Sequence, residues 1–231
     1  MPKNTSSISD FLLSSRILIK NAQTIPEAGA VLLQFGYTPA RLAEGSQLLA
    51  TAEALVRKQS KEYGESYQAT ELFNQAWSAA NQTYTQSLKI ARIVFGAEAK
   101  AATVLKLYGP RLTSNAGWLD QAGSFYAGLT SERSLADRLA KFGYTAAKIA
   151  AEAALVESVR AAIQSQTKEF GEAQEATVER DRCLAELDTW VSELRAVSKV
   201  AFAGNPQEME KLGILARNAP RAKPKLENAV K

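Results

Sequence analysis

"SKEYGESYQAT" runs from Ser60 to Thr70, and "TKEFGEAQEAT" runs from Thr167 to Thr177, 107 residues further on. The fold turns on whether the glycine inside each phrase, Gly64 or Gly171, ends a helix or lies within one. After Pro39 no proline and no aspartate interrupts the chain as far as Gly96. The apolar positions there read as heptads, with position a on Leu42, Leu49, Val56, Tyr63, Thr70, Trp77, Tyr84 and Ala91. The second copy repeats this register through Ile149, Val156, Ile163, Phe170, Thr177, Leu184, Val191 and Ser198, with no loss of phase at either glycine. A hairpin loop would normally break the phase, so the reading is two continuous helices of about 58 residues, roughly 87 Å each at about 1.5 Å per residue. A glycine in a helix interior costs about 1 kcal/mol relative to alanine. The expected reason for it is close approach of another backbone, supported by the small residues that follow: Ser66, Ala69 and Thr70, then Ala173, Ala176 and Thr177.

The same offset organises the rest of the chain. Residues 35–73 and 142–180 are identical at 15 of 39 positions without a gap, and "FGYT" recurs at Phe35–Thr38 and Phe142–Thr145. Residues 1–107 are therefore read as one helical repeat, 108–214 as a second, and 215–231 as a basic tail whose composition predicts disorder. Each repeat opens with two short amphipathic segments that predict a helical hairpin, "ISDFLLSSRILIKNAQ" with "IPEAGAVLLQF" and "AGWLDQAGSFYAGL" with "SERSLADRLAKF". Thr24, with Glu27 three residues on, and Thr130 or Ser131 are expected to cap the second helix of each hairpin. In "FGYT", Gly36 and Gly143 suit a left-handed C-terminal position, while Thr38 and Thr145 suit the next N-cap. The expected fold is all-α and internally duplicated. Two long antiparallel helices, with the short hairpins, form a four-helix bundle at each end of a dumbbell. The alternative is that the glycines break the helices, giving two compact four-helix bundles in tandem.

Composition narrows the chemistry. The 231 residues contain no histidine, which removes the commonest general base, imidazole metal ligands and every Ser-His or Cys-His pair. The single cysteine, Cys183, cannot form an intrachain disulfide, and neither a secretory leader nor a membrane-spanning apolar run is read, so a cytoplasmic location is expected. The net charge of +4 resides in the tail from Arg217, which carries five basic residues against Glu227. The remaining 216 residues balance at 23 basic and 23 acidic.

Few constellations suggest a site. Glu62 and Glu65, repeated as Glu169 and Glu172, place carboxylates three residues apart on each long helix, where four acids would converge if the helices cross there. They are weak metal candidates, because helical carboxylate sites usually add histidines through Glu-x-x-His. Lys58 with Glu62, Lys61 with Glu65 and Lys168 with Glu172 are the expected surface pairs. Gln59 and Gln166 occupy d positions, where a polar residue sets register. Trp77, Tyr84, Trp118, Tyr126 and Trp190 are expected to fill cores.

The doubled "FGYT", the long helices with "KEYGE" or "KEFGE", and "AGWLDQAGSFYAGL" between the repeats resemble a loose group of uncharacterised bacterial all-helical proteins with an internal duplication. The resemblance implies a bacterial source and brings no activity, cofactor or site. The function expected is therefore a non-enzymatic structural or protein-interaction scaffold that needs no cofactor. The alternatives are a small-molecule or metal carrier using a bundle cavity, and a nucleic-acid-associated protein acting through the basic tail. The expected partner is a protein, with neither nucleic acid at the body nor a membrane.

Overall fold

A computed structural model describes residues 5–214. The basic tail read at 215–231 lies outside the described residues. The fold is all-α, with no strand among the described residues: α1 (Thr5–Thr24), α2 (Pro26–Gln34), α3 (Pro39–Phe95), α4 (Ala99–Val104), α5 (Asn115–Ser131), α6 (Arg133–Ala140), α7 (Ala146–Ala201) and α8 (Pro206–Lys211). Helices α6, α7 and α8 begin 107 residues after α2, α3 and α4, the offset at which the sequence repeats. The short helices α4 and α8 were not anticipated; six residues are too few to show a period. No helix among the described residues is long and apolar enough to cross a membrane.

Gly64 and Gly171 are interior to α3 and α7, which run unbroken for 57 and 56 residues. The alternative in which they break the helices does not hold. Neither does the expected reason for them, because a Cβ built at either glycine meets no atom within 4 Å. Both are exposed, and the close packing falls to their small neighbours Ser66, Ala69, Ala173 and Ala176, all buried. The heptad register explains the difference. Position a is buried at Leu42 and Leu49 and again at Tyr84 and Ala91, yet in mid-helix Tyr63 and its counterpart Phe170 turn outward. An α-helix of 3.6 residues per turn drifts by about 20° per heptad against a 3.5 repeat, so one seam cannot stay on one face across eight heptads.

The described chain divides into two compact units, each drawing on both repeats. Among the described residues the first comprises 5–59 and 176–214. Its core gathers Leu18 and Ile19 of α1, Leu32 of α2, Leu42 and Leu49 of α3 and Leu187, Val191 and Leu194 of α7. The second comprises residues 60–175, with Tyr84 and Phe95 of α3, Leu105 at the end of α4, Trp118, Phe125 and Leu129 of α5, Leu139 of α6 and Ile149 and Val156 of α7 in its core. Trp118, Tyr84 and Tyr126 are buried as expected, and Trp77 and Trp190 pack at the core margins. Trp190 explains a glycine that the repeat does not share: a Cβ on Gly45 would lie 2.2 Å from its ring.

The "FGYT" joints behave as read. Gly36 and Gly143 have φ of 84° and 83°. The amides of Tyr37 and Tyr144 donate to the carbonyls of Leu32 and Leu139, closing each preceding helix as a Schellman turn. Thr38 and Thr145 then accept from the amides of Arg41 and Lys148 at 3.2 and 3.3 Å. The other expected caps fail. Ile25 and Glu132 hold the N-cap positions of α2 and α6 without a side-chain bond. The hydroxyls of Thr24, Thr130 and Ser131 instead donate back to the carbonyls of Lys20, Tyr126 and Gly128, finishing the helices before them.

Candidate functional site

Three places in the chain collect polar or exposed groups. The first is the glutamate set. Glu62 and Glu65 of α3 and Glu169 of α7, all in the second unit, bring one carboxylate oxygen each to within 4.8 Å of one another, half-buried. No second group of three or more such side chains occurs among the described residues. Glu172 stands apart, paired with Lys168 at 3.0 Å. Two of the three carboxylates are paired, Glu65 with Lys61 at 2.9 Å and Glu169 with Lys168 at 3.3 Å. The hydrogen bond from Lys61 holds the Glu65 carboxyl below its ordinary range and raises the Lys61 ammonium. Three carboxylates shared by two ammonium groups form a surface salt-bridge network rather than the six to eight oxygens that calcium takes. Lys58 reaches Glu179 at 2.8 Å, an interhelical pair within the first unit that helical spacing does not reveal. Gln166 is half-buried and donates to Thr70 Oγ1 at 3.2 Å, joining α7 to α3 as a register-setting contact, while Gln59 is also half-buried.

The second place escaped the sequence reading. Glu152 of α7 is 6% exposed and its Oε2 accepts from Ser87 Oγ of α3 at 2.6 Å and from Tyr126 OH of α5 at 3.0 Å. Its Oε1 lies 3.9 Å from Lys148 Nζ. Burial, and then the Glu152 charge, push the Tyr126 hydroxyl far above its ordinary value, so it stays protonated as a donor. One buried carboxylate thus ties three helices together with both of its donors satisfied. Tyr126 also lines a groove of about 460 Å³ between α5 and α7, floored by Gly123, Ala127, Ala153 and Ala154. Ser87 is 2% exposed and faces a carboxylate with no imidazole, so it is a hydrogen-bond donor and not an activated nucleophile. A signal for this cluster did exist in the repeat. At the offset of 107, Glu152, Tyr126 and Ser87 align with Gly45, Ile19 and Leu194, so each polar residue stands where the other copy has an apolar residue or glycine at a buried position.

The third place is the glycine phrase itself. Tyr63 is 41% exposed beside exposed Gly64, and Phe170 is 56% exposed beside exposed Gly171. One turn after Tyr63, on the same face, Tyr67 is 70% exposed. Each long helix therefore carries an aromatic ring next to a patch of bare backbone. Comparison with protein-family models, with curated proteins and with solved structures found no match for this chain.

Proposed function

We propose that the protein is a non-enzymatic helical interaction protein. On this reading each compact unit of the duplicated chain is a four-helix bundle, and the aromatic–glycine pairs of the long helices contact a protein partner. The observation that carries it is the pairing of Tyr63 with Gly64 and Phe170 with Gly171, twice exposed at equivalent positions. An exposed aromatic ring has a hydrophobic cost in water, and an exposed helical glycine costs about 1 kcal/mol with no return inside the chain. Both costs are recovered if a partner covers the ring and lays its backbone against the glycine. Aromatic residues are enriched at such surfaces.

The polar clusters support the same conclusion. Glu65 and Glu169 of the acidic set are each paired with a lysine, and the buried Glu152 accepts from two hydroxyls, so both sets are engaged within the chain. The test uses the full chain as bait. Tyr63→Ser with Phe170→Ser should abolish capture of the proteins that the wild type retains, without lowering the melting temperature. Unchanged capture by the double variant would overturn the reading.

A further inference from the structure

The charge balance of the body conceals a local excess. Residues 81–117 hold Lys89, Arg92, Lys100, Lys106 and Arg111 against Glu98 alone. Glu98 is held by Arg138 at 2.6 Å, and Lys106 is neutralised by Asp120 at 2.6 Å. Among the described residues Lys89, Arg92, Lys100 and Arg111 form no ion pair with a carboxylate.

The two arginines are fixed by neutral acceptors. Arg92, near the end of α3, donates from Nε to the Leu107 carbonyl at 2.8 Å and from Nη2 to the Gly109 carbonyl at 3.2 Å. Arg111, in the segment between α4 and α5, donates from Nη1 to Thr85 Oγ1 at 2.6 Å and from Nη2 to Asn81 Oδ1, with its guanidinium 5.4 Å from the Tyr84 ring. Asn81 Oδ1 is itself held by Trp118 Nε1 at 3.0 Å. Such bonds immobilise a guanidinium while leaving its full charge, which lowers the entropy cost of meeting an anion. Arg92 binds the very loop that carries Tyr108, and exposed Ile93, Tyr108 and Leu112 flank the cations.

We propose that this surface docks an acidic amphipathic peptide segment of a protein partner. Its carboxylates meet Arg92, Arg111 and Lys89, and its aliphatic side chains cover Ile93, Tyr108 and Leu112. Charge complementarity sets the sign of the occupant. The interleaved aliphatic residues favour a protein over a nucleic acid, whose affinity rests on many phosphate contacts. This surface is separate from the aromatic–glycine pairs and does not depend on them.

The test is fluorescence anisotropy on the full chain with a labelled peptide of alternating glutamate and leucine, beside a glutamine-for-glutamate control and a labelled single-stranded oligodeoxynucleotide. The glutamate peptide should bind, weaken as salt rises, and lose about fivefold or more in affinity with Arg92→Gln and with Tyr108→Ser. Arg111→Gln also removes bonds to α3, and Arg92→Gln those to the Leu107 and Gly109 carbonyls, so Lys89→Gln is run beside Arg92→Gln and should weaken binding as well; each variant is checked by thermal melting. Tyr63→Ser with Phe170→Ser should leave peptide binding unchanged, which separates failure of this inference from failure of the aromatic–glycine reading. Equal binding of the glutamine peptide, no binding, no effect of Arg92→Gln, or tighter binding of the oligonucleotide at the same salt would each overturn it.

Discussion

Replacing Gly64 or Gly171 by alanine should stabilise the protein, although both lie in phrases that the chain has kept twice. The magnitude follows from what a methyl group would meet. At either position an added Cβ has no neighbour within 4 Å, so no steric cost is expected. What remains is the backbone entropy that glycine loses on entering a helix, about 1 kcal/mol relative to alanine. For a chain of this size that is a rise of about 2–4 °C in melting temperature per site. The assay is urea and thermal unfolding followed by circular dichroism, with Gly45→Ala as the internal contrast. There the new Cβ would sit 2.2 Å from the Trp190 ring, and overpacking should destabilise by about 1–3 kcal/mol. A fall in stability for Gly64→Ala or Gly171→Ala would refute the reasoning, since it would mean that chain atoms do crowd the bare backbone.

Other outcomes follow from the same contacts. Glu152→Ala should cost about 2–4 kcal/mol, because it leaves two buried hydroxyls without an acceptor; urea denaturation of Glu152→Ala, Tyr126→Phe and the double variant should show strong non-additivity. Burial holds the hydroxyls of Tyr37, Tyr84 and Tyr126 above the ordinary value of 10.0. In the unfolded chain these groups ionise first, so the stability they contribute is complete below about pH 10 and lost as pH rises above it, more gradually in Tyr126→Phe. Absorbance titration should accordingly show a fraction of the tyrosines ionising only on alkaline unfolding. Thr38→Ala and Thr145→Ala should each cost about 1 kcal/mol as lost N-caps, whereas Thr24→Ala should stay within about 0.5 kcal/mol; thermal melts distinguish them.

The parts of the fold legible in the sequence were those governed by local, repeated chemistry. Continuity of α3 and α7 was readable because no proline follows their first turn and the heptad phase runs unbroken through Gly64 and Gly171. The "FGYT" joints were readable because glycine supplies the positive φ and threonine the cap. Thr24, Thr130 and Ser131 misled because a hydroxyl at a helix junction serves the end of one helix as readily as the start of the next, and only geometry decides. The site was less legible. Three of the four marked glutamates do meet; the Lys61–Glu65 pair follows from helical spacing, but the approach of Glu169 to Glu62 and Glu65 depends on how α7 lies against α3. Tyr63 and Phe170 were assigned to a seam because heptad counting ignores the drift of a continuous helix. Glu152 reads as a surface residue on α7 until its alignment with Gly45 is noticed.

Exposed glycines that leave room for a partner's backbone should lose that partner once the space is filled. Gly64→Gln with Gly171→Gln improves helix propensity while placing a side chain over the bare backbone. Affinity capture with this double variant, compared with wild-type bait and read by quantitative mass spectrometry, should show loss of the wild-type partner while thermal melting shows a chain at least as stable. Retention of the same partner at wild-type abundance by the stabilised variant would contradict the account.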